Sequence, residues 1–152
     1  MTIRSQAFKL ISYEHWANQK IIEALAACDS LPPRANELIS HVLAVSSIWL
    51  SRAKGDAEVA KRFDMYDLET CTKLNDRMQS EWNNYLDSLQ YFDEQYMTFL
   101  FLGKQSRMAV MDCINHVVMH GNYHRGQIVL LLKEHLPELP MTDYVLFALS
   151  EN

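Results

Sequence analysis

Chain breakers are scarce: only four Gly and four Pro occur in 152 residues. Tight turns draw heavily on these two residues, so few are available, which argues against a many-stranded β fold and for long helices. The length fits a single domain, residues 1–152. A chain of this size buries roughly 70% of its unfolded surface and needs no disulfide to hold a core. With 49% of residues hydrophobic and 22% charged, the chain as a whole is not disordered.

The breakers divide the chain cleanly. A first helix is predicted from Ile3 to Ala27, where Phe8, Ile11, Ile22 and Leu25 mark one stripe shared by His15 and Asn18. Cys28–Pro33 interrupts it, and a second helix runs from about Arg34 to Lys54 before Gly55, a natural C-terminal cap. Asp56–Tyr66 reads as a loop. Asp67 can cap a third helix, Leu68–Tyr91, whose apolar face is Leu74, Met78, Trp82, Tyr85 and Leu89. Tyr96–Leu102 suits a strand, Gly103–Ser106 a turn, and Arg107–Val110 the returning strand. A fourth helix is expected over Val110–Leu136, ended by Pro137 and Pro140, with Thr142 or Asp143 capping a last short helix through Leu149. The fold class is therefore all-α: an antiparallel four-helix bundle with a small β-hairpin and a short C-terminal helix.

Lys plus Arg number 14 against 19 Asp plus Glu, a net charge of −5, and no basic block occurs. Nucleic acid is not an expected partner. Cys28, Cys71 and Cys113 are odd in number and unpaired by spacing, so no disulfide framework is expected. The first residues lack the apolar core of a signal peptide, and no run of 18 apolar residues exists. The expectation is a soluble cytoplasmic protein with no membrane partner.

The histidines carry the chemistry. His116, His120 and His124 stand at i, i+4 and i+8 on the fourth predicted helix. Four residues carry the helix about 40° past a full turn and about 6 Å along its axis, so all three project from one face. Adjacent members can converge on one ion at about 2.0–2.1 Å, whereas the outer two stand about 12 Å apart along the axis. Geometry thus allows His116 with His120 or His120 with His124, and does not choose between them. A third ligand must come from another element. His41 is the best candidate, in the core-facing stripe Leu38, His41, Val45, Ile48 of the second helix; His15 is another. Three histidines with an open fourth position are the pattern of a catalytic metal site. His15 and His135 read better as ordinary hydrogen-bonded or helix-end residues.

The string Asn115–Gln127, N-H-V-V-M-H-G-N-Y-H-R-G-Q, resembles the signature of the damage-inducible DinB family, which is related to the YfiT-like metalloenzymes. Tyr13–Asn18, His41 with Trp49-Leu50, the hairpin glycine Gly103 and the ending Leu139–Tyr144 are similar to that family as well. The resemblance implies a four-helix bundle, often a homodimer, with one divalent metal held by His41, His120 and His124. It places His116 beside the metal rather than on it. Some relatives are transferases or isomerases that use low-molecular-weight thiols, and others are proposed hydrolases. The metal implied is zinc or nickel first, then iron or manganese, since imidazole accepts all of them.

Gln127, one turn beyond His124, can orient a ligand ring or a bound water. Trp49 and Arg52 can line a pocket mouth above His41, although core packing is the ordinary role for Trp49. Gly121 and Gly126 each cost about 1 kcal/mol inside a helix, which the close approach of another helix would explain. Cys113 reads as a buried, inert thiol. The expected function is that of a divalent-metal enzyme acting on a small molecule, by transfer or isomerisation with a thiol or by hydrolysis. The alternatives are a non-catalytic metal-binding stress-response or sensing dimer and a metal-free helical interaction module.

Overall fold

The computed structural model describes residues 1–151. Five α-helices and one hairpin follow in chain order: α1 Ile3–Ala26, α2 Pro33–Lys54, α3 Leu68–Ser88, β1 Tyr96–Phe101, β2 Lys104–Ala109, α4 Val110–Leu132 and α5 Tyr144–Ser150, with a 3-10 turn at Phe92–Glu94. The architecture is the expected bundle with its hairpin and terminal helix.

Local chemistry explains most boundaries. Thr2 caps α1 by accepting from the Ser5 N–H at 3.1 Å, and Asp67 caps α3 by accepting from the Thr70 N–H at 2.7 Å. Gly55 ends α2 in the left-handed region, φ 73°. α3 has no basic residue in its last turn and stops at Ser88, short of the expected Tyr91. Arg4 supplies the missing cation from α1, donating to the carbonyls of Leu86 at 2.9 Å, Asp87 at 3.0 Å and Leu89 at 3.0 Å. α4 stops at Leu132, short of Leu136, well before either proline. The hairpin turn is also tighter than expected. Phe101 pairs with Lys104, so Leu102 and Gly103 alone form the loop, and Lys104 to Ser106 belong to β2.

The packing is α1 against α3 and α4, and α2 against the same two helices, so α1 and α2 stand on opposite corners. Ile21, Leu25, Ile39, Leu43, Trp82, Ile114 and Ile128 fill the space between them. Leu74, Met78 and Trp82 of the α3 stripe are core as expected, while Tyr85 and Leu89, the latter just past the helix end, pack half-buried against it; Trp82 donates its indole N–H to the Ser46 hydroxyl at 3.1 Å. The hairpin lies on α2 and α4 and brings Phe99 edge-on to Trp49, ring centroids 5.1 Å apart. A second, smaller cluster of Tyr13, Ala17 and Phe147 seats α5 on α1, and the Tyr13 hydroxyl donates to the Thr142 carbonyl at 2.7 Å.

One charged pair lies inside the bundle. Arg125, fully buried, meets the Glu14 carboxylate at 2.8 Å and donates to Asn18 Oδ1 at 2.7 Å. Asn18 in turn donates to Asn75 Oδ1 at 3.3 Å, and Asn75 to the His15 carbonyl at 3.0 Å. Gly121 is explained here: a Cβ would collide with the Glu14 carboxylate and the Arg125 guanidinium. Gly126 has open space where its Cβ would be, so nothing within the chain requires a glycine there.

Candidate metal centre

His41 on α2 faces His120 and His124 on α4, and one ligand atom from each of the three lies within 4.8 Å of the others. Ring centroids are 4.9 Å apart for His41 and His120, 4.8 Å for His41 and His124, and 4.5 Å for His120 and His124. The helical spacing left two pairs possible; the position of α2 brings His41 to the pair His120 and His124. His116 sits one turn away, its ring 5.8 Å from that of His120 and edge-on to Trp49 at 4.9 Å. His15 points elsewhere and contacts Asp76 Oδ1 at 2.7 Å. His135 is exposed beyond the end of α4.

The hydrogen bonds orient two of the rings. His41 Nδ1 lies 2.8 Å from the Arg62 carbonyl oxygen, which can only accept, so Nδ1 carries the proton. His124 Nδ1 lies 2.7 Å from Gln127 Oε1 and donates in the same way. Both Nε2 lone pairs are therefore left for the interior of the cluster, the outer hydrogen bonding that fixes the tautomer and orientation of metal-ligating imidazoles. His41 Nε2 and His120 Nε2 stand 3.1 Å apart. A tetrahedral ion with bonds of about 2.0–2.1 Å holds two nitrogens about 3.3 Å apart, so the His41–His120 pair is close to what such an ion needs.

Electrostatics favour the neutral ring at His41, His116 and His120. Burial lowers the proton affinity of His41 and His116. His120 is pushed down to about 3, by burial first and then by repulsion from His124, His41, His116 and Arg62. Neutral imidazole is the form that ligates a cation. Among the described residues no carboxylate, cysteine or fourth histidine joins the group.

A cavity of about 760 Å³ opens beside His41 and His120, bounded by α2, α4, the hairpin and the 58–62 segment. His116, Trp49 and Arg52 line it. Trp49 is at once core and wall. Arg52 is not the solvated residue its type suggests: its guanidinium lies 4.7 Å over the Trp49 ring and 2.6 Å from Glu58. A smaller cavity of about 320 Å³ reaches His41 and His124 from the other side, past Arg34 and Phe63. Cys113 is fully buried, its thiol pushed up to about 12 by desolvation, so it supplies no thiolate.

The 56–66 loop was not recognisable as part of the site. Its composition carries no chemical motif, and its role comes from backbone: the Arg62 carbonyl holds His41, while the Tyr66 carbonyl accepts from Asn36 at 3.1 Å and ties the loop to α2. Phe63 stacks on His41, centroids 5.6 Å apart and 15° from parallel. The buried pair of Glu14 and Arg125 was also missed. A signal existed, because Ile114, Val117, Gly121, Arg125, Ile128 and Leu132 form one helical stripe with a lone charge in it.

No significant match is found among solved structures. The Protein DinB of Bacillus subtilis (strain 168) is 25% identical over 159 aligned positions, covering 93% of this chain and 92% of that protein. The DinB family profile matches residues 3–152, so it takes in both helices that bear the histidine cluster. With nearly its whole length matched, the chain belongs to the DinB family.

Proposed function

We propose that this protein is a divalent-metal-dependent enzyme in which His41, His120 and His124 hold the ion. The reaction is either transfer or isomerisation with a low-molecular-weight thiol, or hydrolysis. The supporting observation is the open side of the cluster: His41 and His120 border a 760 Å³ cavity, His41 and His124 border a smaller one, and no fourth side chain among the described residues closes the group. Bound there, the ion would supply an acidified water or a bound thiolate as the nucleophile. Zinc or nickel leads as the metal, with iron or manganese behind.

The chain's own residues have separable roles. The Arg62 carbonyl and Gln127 hold His41 and His124 in the ligating orientation. Trp49 and Phe99 exclude water from the cavity wall, and Trp49 fixes the ring of His116, which offers a polar contact to a substrate. A non-catalytic sensing or stress-response role is the second reading; it would need a fourth ligand contributed by a partner. A homodimer belongs to either reading. α4 leaves Met119, Tyr123 and Leu130 exposed along one stripe, roughly a quarter-turn from the histidines. The cytoplasm suits the three free cysteines.

The test is elemental analysis of protein purified without a polyhistidine tag. Wild type should carry one equivalent of metal, and His120→Ala and His124→Ala should carry none. Gln127→Leu should keep the fold and bind metal about 10- to 100-fold more weakly. Full metal in both histidine variants would overturn the assignment. For the dimer, sedimentation equilibrium should give two copies for wild type and one for Met119→Glu; a monomeric wild type removes that part.

A further inference from the structure

The cavity beside the histidine cluster opposes the molecule in charge. The chain as a whole carries a net charge of −5, yet this wall holds three cations, Arg52, Lys61 and Arg62, against one carboxylate, Glu58. Glu58 is already engaged, at 2.6 Å from Arg52. Lys61 and Arg62 are left without an ion pair among the described residues. Arg62 adjoins the cluster, its backbone carbonyl 2.8 Å from His41 Nδ1. The lining also has an apolar part, built from Ile48, Trp49, Phe99 and Met108.

We propose that this cavity takes a small organic anion with an apolar body, its negative group at Lys61 and Arg62 and its body against Trp49 and Phe99. The inference names the substrate class of the site described above and rests on that reading. Two physical effects select this class. Unpaired cations in a cavity with low-dielectric walls concentrate their field on an anion and repel a cation. A strongly polar metabolite would lose hydration against Trp49 and Phe99 without replacement hydrogen bonds, whereas an aromatic or branched body gains by leaving water. Glu58, by engaging Arg52, leaves Lys61 and Arg62 as the unpaired cations of the cavity lining.

A matched pair of fluorescent probes tests this: 8-anilinonaphthalene-1-sulfonate, an anion, and N-phenyl-1-naphthylamine, its uncharged counterpart. Both are titrated into protein whose divalent-metal content has been counted. The anion should bind about tenfold more tightly than the neutral probe. Exchanging both cations, Lys61→Gln with Arg62→Gln, should remove that preference and leave the neutral probe unchanged. Glu58→Gln should tighten the anion severalfold, an outcome that misfolding would not produce, and Lys133→Gln on the outer surface should change neither affinity. Equal binding of the two probes by wild type, or an undiminished preference in the double variant, overturns the inference. If one equivalent of divalent metal is retained while the probes are not distinguished, the metal reading stands and only the substrate class fails. If wild type holds no divalent metal, the metal reading fails, and the probe preference still reports on Lys61 and Arg62, which need no ion to act.

Discussion

Gly121 shows how a single position can serve a distant element. It is the place on α4 where α1 presents the Glu14 carboxylate to Arg125. Gly121→Ala should destabilise the protein by about 3 kcal/mol, because the added methyl separates a buried ion pair that water cannot reach. Gly126→Ala should instead be neutral or gain up to about 1 kcal/mol from helix propensity, since open space surrounds that site. Urea denaturation of the two variants, measured side by side, checks the contrast; equal effects would remove the explanation given for Gly121. The buried pair is incompletely satisfied, with Glu14 Oε2 and two guanidinium nitrogens of Arg125 lacking partners, so the network is sensitive to any further displacement.

Among the elements, the hairpin bears most on the site, because β1 and β2 close one wall of the cavity. Its loop is under strain. Leu102 has φ 50° and Gly103 φ 76°, the pair of positive values found in a type I′ turn. Glycine adopts that conformation freely, but leucine does not. Leu102→Asn should therefore raise stability by roughly 0.5 kcal/mol, and Leu102→Val should lower it. Thermal unfolding of both variants decides it; stabilisation by valine would contradict the turn assignment. The 56–66 loop is the other element that builds the site, and its backbone hydrogen bonds to His41 and Asn36 keep it against α2.

At the scale of the whole molecule, the histidine cluster links stability to pH. Metal-free protein holds His120 neutral down to about pH 3, against an ordinary value of 6.5. Below pH 6.5 the unfolded chain accepts a proton that the folded chain refuses. Stability should accordingly fall as pH drops from about 6.5 toward about 3, by up to about 1.4 kcal/mol per pH unit for each such histidine. His41 and His116, also lowered, act in the same direction. The urea midpoint of chelated wild type should decline between about pH 7 and about pH 5, and His120→Gln should decline less steeply. Identical slopes would place the pH dependence elsewhere. Saturating metal should raise the midpoint, since it binds only the folded arrangement.

How much of this was legible in the linear chain depended on the range of the cause. Helix spans, the Asp67 cap, the Gly55 stop and the common face of His116, His120 and His124 follow from local steric and hydrogen-bonding rules, which act over one or two turns. The family signature in Asn115–Gln127 added a ligand set. The early ends of α3 and the tight hairpin turn were not legible, since one depends on Arg4 arriving from another helix and the other on strand register. The carbonyl that orients His41, the pairing of Glu14 with Arg125 and the cations gathered in the cavity lining were decided only by tertiary structure, which also chose, as helical spacing could not, the two α4 histidines that face His41. Periodicity sets the direction of a side chain around its own helix axis, but the rotation and offset between helices come from side-chain packing across the whole core.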